Sequence, residues 1–80
     1  MKVAIVDDEQ DMTRQIEEFL ERFRVESQME VDARVFHEPR AFVENYDGSY
    51  DLILLDVEMP GMNGIEAAKA IRGQDRRVSI

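Results

Sequence analysis

The sequence has no cysteine and no tryptophan, and only one histidine, two prolines and four glycines in 80 residues. Without cysteine there is neither a disulfide framework nor a thiolate zinc site to brace so short a chain. A lone histidine likewise excludes an imidazole-based metal cluster. Cationic residues are scarce as well. Ten Lys and Arg stand against 18 Asp and Glu, for a formal net charge of −8. A chain of that sign offers nucleic-acid phosphates no basic surface, so no direct nucleic-acid binding is expected. No apolar run approaches the ~20 residues of a membrane span, and no signal-peptide pattern opens the sequence. No membrane partner is expected, and the expected location is the cytoplasm.

What is present is globular in composition, with 44% hydrophobic and 35% charged residues. The length allows one small domain with a modest core, exposing roughly 5,000 Å² when folded. Val3-Ala4-Ile5-Val6 is a short, continuous apolar run, which suits a strand buried on both faces. Met12, Ile16, Phe19, Leu20 and Phe23 then recur at helical spacing, with Arg14, Glu17, Glu18, Glu21 and Arg22 on the other side. Asp8, Glu9 and Asp11 fall near the positive end of that helix. Val31, Ala33 and Val35 alternate with Asp32 and Arg34, which predicts a strand at a sheet edge.

Pro39 opens a second helix that Gly48 ends, and Leu52-Ile53-Leu54-Leu55 is the clearest buried strand. Pro60-Gly61 marks a loop, and Asn63 caps a third helix carrying Ile65, Ala68 and Ile71, which Gly73 closes. Arg77-Val78-Ser79-Ile80 reads as the start of a further strand. This β-α alternation predicts an α/β fold with a parallel sheet and helices on its faces.

In such sheets ligands bind beyond the carboxyl ends of the strands. Two predicted strands end there in acids: Val6 leads into Asp7-Asp8, and Leu55 into Asp56. If those strands are neighbours, three carboxylates converge and repel one another unless a cation joins them. All-oxygen ligation with room for water suits Mg²⁺, and that chemistry favours an anionic phosphoryl ligand with one Asp as the nucleophile. The bland reading is that acids at strand ends only form turns or cap helices. Against it, Asp56 ends a wholly apolar run.

The pair Asp7-Asp8 together with Asp56-Val57-Glu58-Met59-Pro60-Gly61-Met62-Asn63-Gly64 resembles the receiver domain of two-component response regulators. The stretch from Asp56 to Ala68 is further similar to receivers of the LytR-type subclass. The resemblance implies a flavodoxin-like sheet of strand order 2-1-3-4-5. Residues 1–80 would supply its strands 1–3, the start of strand 4 and helices 1–3, about the first two-thirds of the domain.

It implies that Asp56 is the phosphoacceptor for a histidine kinase and is also one of the Mg²⁺ ligands. Asp8 would bind Mg²⁺ directly, Asp7 through water or from a second layer, and Glu58 through its backbone carbonyl. The Glu58 side chain, with Met59 beside it, would modulate the lifetime of the phosphoryl group. The family's Ser/Thr and Lys at the ends of strands 4 and 5 would fall beyond Ile80, and neither Lys2 nor Lys69 matches them. No enzymatic activity is implied beyond slow self-dephosphorylation. Asp56-Val57-Glu58 lacks the second Asp of the Asp-x-Asp phosphatases.

A second expectation, of another class, is an assembly module in which the βα units are a scaffold and the acids are inert. It follows from the single short stub, Val78–Ile80, available to the free side of the third strand. An apolar edge of that kind favours self-association by strand exchange or edge pairing. His37 is expected to be an ordinary loop residue, and Arg76-Arg77 a solvated pair.

Overall fold

The computed structural model describes residues 1–57 and 61–80. Its elements are β1 (Lys2–Val6), α1 (Gln10–Ser27), β2 (Asp32–Phe36), α2 (Pro39–Glu44), β3 (Leu52–Leu55) and α3 (Gly64–Gln74). The three strands form a parallel sheet in the order β2-β1-β3. The chain therefore steps outward from β1 to β2 and then back across β1 to β3. Right-handed crossovers in opposite directions leave the connecting helices on opposite faces.

The pleat divides the core accordingly. Val3 and Ile5 of β1 meet Leu20 and Ile16 of α1, with Leu52 and Leu54 alongside. Ala4 and Val6 meet Phe42 of α2 and Ile71 of α3, with Ile53 alongside. Val3 to Val6 are completely buried, as expected of a central strand with helices on both faces. β2 is the edge strand that its alternation predicts, with Asp32 and Arg34 exposed. Phe36, Phe42, Tyr46 and Tyr50 close the end of the α2 face as an aromatic cluster, centroids 4.7–6.1 Å apart.

Four expectations change in detail. α2 ends at Glu44 with Asn45 as its C-cap, short of Gly48. Gly73 does not end α3. The helix continues to Gln74 and its C-cap is Asp75, whose carboxylate accepts from the Arg77 and Val78 backbone N–H groups at 3.0 and 3.3 Å. That carboxylate turns the chain, so no left-handed glycine is needed.

The apolar stripe of α1 is only half used. Ile16 and Leu20 pack on the sheet, whereas Met12, Phe19 and Phe23 are exposed, Phe19 by 67%. Met12 lines a groove beside β3, and Phe19 and Phe23 flank a second hollow with Arg22 and Glu26 further along the helix.

The expected fourth strand is one parallel bridge, Leu52 to Ser79, made by the Ile53 N–H to the Ser79 oxygen (2.8 Å) and the Ser79 N–H to the Asp51 oxygen (3.1 Å). Along the rest of this edge runs a groove of about 580 Å³, lined by Ile5, Met12, Leu54, Ile65 and Ile80 and reaching Asp7 and Asp56. The accessible surface, 5534 Å², exceeds the roughly 5,000 Å² of a compact monomer of this mass.

Candidate metal and phosphoacceptor site

The sheet register builds the site. Val6 of β1 pairs with Leu55 of β3, so the next residues, Asp7 and Asp56, emerge side by side at the carboxyl ends of adjacent strands. The backbone continues the ladder one step further on each side. The Asp56 N–H donates to the Val6 oxygen, and the Asp7 N–H to the Phe36 oxygen, both at 3.0 Å. Asp7, Asp8 and Asp56 then each present a carboxylate oxygen within 4.8 Å of the others. Their exposures differ. Asp7 is 6% exposed, Asp56 half-buried and Asp8 exposed.

Burial pushes the Asp7 carboxyl above its usual range. The Glu9 N–H, donating to Asp7 Oδ1 at 2.9 Å, opposes the shift. The Asp56 charge, a hydrogen bond with Asp56 and the Asp8 charge add to it. Two negative charges beside a buried carboxyl are the arrangement a divalent cation relieves. The donor set is all carboxylate oxygen, converging from two strand ends and open to solvent at Asp8. That fits Mg²⁺, which takes few protein ligands and keeps its waters.

α3 holds the Asp56 side of the site. Asn63 caps it as predicted, its side-chain oxygen accepting from the Glu66 N–H at 2.9 Å. The Gly64 N–H donates to the Val57 oxygen at 3.0 Å, and the Gly64 Cα lies directly on the Asp56 carbonyl. No side chain fits there, which explains the glycine more sharply than helix packing in general.

Glu58 and Met59, expected as a carbonyl ligand and a modulating neighbour, lie outside the described residues, as does Pro60. Lys2 is far from the acids, as expected. Its Nζ donates to Ser49 Oγ at 2.7 Å and sits 4.6 Å from the Tyr50 ring, at the other end of the sheet. His37 is more than a loop residue: its Nδ1 lies 3.0 Å from the Asp7 backbone oxygen. The only sequence signal for this was its place one residue past a strand that turns out to neighbour β1.

The response regulator receiver domain family matches residues 3–80. The chain belongs to this family. Among curated relatives of this receiver, the transcriptional regulatory protein CpxR of Escherichia coli K12 is 39% identical over 72 residues, covering 89% of the chain and 28% of CpxR. FlgR of Helicobacter pylori is 31% identical over 80 residues, covering the whole chain and 20% of FlgR. The chain thus spans less than a third of either relative.

The response regulator TrrA in its complex with the histidine kinase ThkA superposes with a TM-score of 0.77 at 28% identity, over 96% of this chain and 62% of that one. Thermotoga maritima TrrA in complex with Mg²⁺-BeF gives 0.77 at 28% identity, over 91% and 59%. The fold is the flavodoxin-like receiver fold. Among the described residues, no helix is long and apolar enough to cross a membrane.

Proposed function

We propose that this receiver is a phosphoacceptor module, in which Asp56 takes a phosphoryl group from a histidine kinase while Asp7 and Asp8 hold Mg²⁺. The observation that carries the reading is the meeting of the three carboxylates, from positions 7, 8 and 56, within 4.8 Å at the strand ends. An Asp56 oxygen attacks phosphorus, forming an O–P bond. The N–P bond to the kinase's histidine breaks, and its electron pair stays on the imidazole, which then takes a proton. When bound, Mg²⁺ offsets the charge on the phosphoryl oxygens. Asp7 and Asp8 provide the charge that holds the cation, and Gly64 and the Val6 carbonyl keep Asp56 in place. The Glu58 side chain is assigned the role of setting how fast water removes the phosphoryl group. The kinase in the TrrA complex supports the choice of partner, and Mg²⁺-BeF on TrrA the choice of cofactor.

The protein is not proposed to turn over a substrate as an enzyme beyond slow self-dephosphorylation, and its proposed location is the cytoplasm. The LytR-type assignment gains nothing from CpxR or FlgR and forms no part of the proposal. The test is titration with Mg²⁺ and then beryllofluoride, followed by amide NMR. Shifts centred on Asp7, Asp8 and Asp56, lost in Asp56→Asn for the second addition, are the expected result. Flat spectra overturn the reading.

For the 80-residue chain by itself, a second copy is the proposed occupant of the β3 edge. The Ser79 bridge shows that this edge accepts a parallel strand. The adjoining groove, which Met12 lines, leaves apolar surface beside it, and Phe19 and Phe23 are exposed further along α1.

A further inference from the structure

His37 follows β2 directly, and its ring reaches the β1–α1 turn, with Nδ1 3.0 Å from the Asp7 oxygen. A carbonyl oxygen only accepts, so Nδ1 carries the hydrogen. The end of β2 therefore grips Asp7 on both sides. The Phe36 oxygen takes its N–H at 3.0 Å, and the His37 ring donates to its C=O.

The carbonyl matters most for the neighbour. The Asp7 C=O and the Asp8 N–H belong to one rigid peptide plane, so fixing that oxygen fixes the direction in which the chain enters Asp8. Downstream, the Glu9 N–H is tied to Asp7 Oδ1 at 2.9 Å. Asp8 thus lies between two anchored peptides although its own side chain is exposed. His37 and Asp8 also line a common cavity of about 360 Å³.

We propose that His37 is a positioning residue of the acidic site: by donating from Nδ1 to the Asp7 carbonyl, it sets the Asp7–Asp8 peptide plane and so places the Asp8 carboxylate beside Asp7 and Asp56. Its consequence for metal binding rests on the Mg²⁺ reading above. Its geometric content does not.

The experiment compares the whole chain with His37→Ala and His37→Asn. The asparagine amide nitrogen stands at about the same distance from Cβ as Nδ1 and can replace the donor. Two readouts are taken: the Mg²⁺ dissociation constant, and the NMR order parameter of the Asp8 amide in metal-free protein. His37→Ala is expected to weaken Mg²⁺ about threefold to tenfold, the worth of one hydrogen bond. It should also lower the Asp8 order parameter below the rigid value of about 0.85. His37→Asn restores both, and similar melting of all three proteins separates positioning from general stability.

If the wild type binds no Mg²⁺ yet the Asp8 amide loosens in His37→Ala and tightens in His37→Asn, the metal reading fails and the positioning role stands. An unchanged Asp8 amide, or equal Mg²⁺ affinity in His37→Ala and a wild type that binds, overturns the proposal.

Discussion

Gly64 packs its Cα against the backbone carbonyl of Asp56. A side chain there would overlap that carbonyl and come within 2.9 Å of the Val57 Cα. The start of α3 and the end of β3 are thus in backbone contact at the proposed phosphoacceptor. Gly64→Ala forces one of them to move, and overpacking of this kind costs about 1–3 kcal/mol. At about 4–8 °C per kcal/mol for a domain of this size, a thermal melt will resolve it. The Asp56 amide resonance should shift in the same variant. An unaltered melt would show that α3 can slide away freely.

Asp7 sets the sign of a pH dependence. Its carboxyl is raised in the folded state, first by burial and then by the Asp56 and Asp8 charges. The folded state therefore holds the Asp7 proton more tightly than the unfolded chain does. The stability this adds is complete below the unfolded value of 3.8 and is lost as pH rises through the higher folded value. Metal-free Asp7→Asn should accordingly melt higher than wild type at pH 7 and no higher at pH 3.

Mg²⁺ should raise the wild-type melting temperature. The linkage amounts to about 2.7 kcal/mol at a concentration of about 100 Kd. Asp8→Asn should lose most of this increment, because the exposed carboxylate is the one open to a hydrated ion. Equal Mg²⁺ stabilisation of both proteins, in calorimetry, would remove Asp8 from the ligand set.

Tyr46 donates to Asp75 Oδ2 at 2.7 Å, joining the end of α2 to the turn that carries Val78 and Ser79 to the sheet. The Tyr46 hydroxyl, followed by the Arg77 N–H, holds the Asp75 carboxyl below its usual range. Such a group adds stability above 3.8 that is lost as pH falls through its lower folded value. Tyr46→Phe should lower the melting temperature at pH 7 and have less effect in acid. A uniform loss at all pH values would point to ring packing alone.

Phe19 tests self-association. Burying a side chain of this size contributes about 1.5–3 kcal/mol, so Phe19→Glu should weaken a dimer of the 80-residue chain at least tenfold. Sedimentation equilibrium measures this. A wild-type chain that stays monomeric with a cooperative melt above ~50 °C would dispose of the proposed second copy.

Much of the fold was legible in the sequence because its signals are local. The apolar runs at Val3–Val6 and Leu52–Leu55, the period of α1 and the Asn63 cap each depend on residues within a few positions. The acids at the strand ends were legible for the same reason. Gly73 misled because a glycine near a helix end usually stops it. Here the stop is made by the Asp75 carboxylate, whose partner Tyr46 lies just past a different helix, α2. Phe19 misled because periodicity reports an apolar face without saying whether anything stands opposite it.

The sequence by itself determined the order of elements, the edge position of β2 and the three carboxylates that carry the site. Only the tertiary structure decided that they meet. The Val6–Leu55 register sets Asp56 beside Asp7 across 49 positions of sequence. The β2–β1 pairing lays His37 on the Asp7 carbonyl, and α3 presses Gly64 onto Asp56. Each of these depends on a hydrogen-bond register or a close approach between distant segments, and local patterning encodes the segments without encoding their alignment.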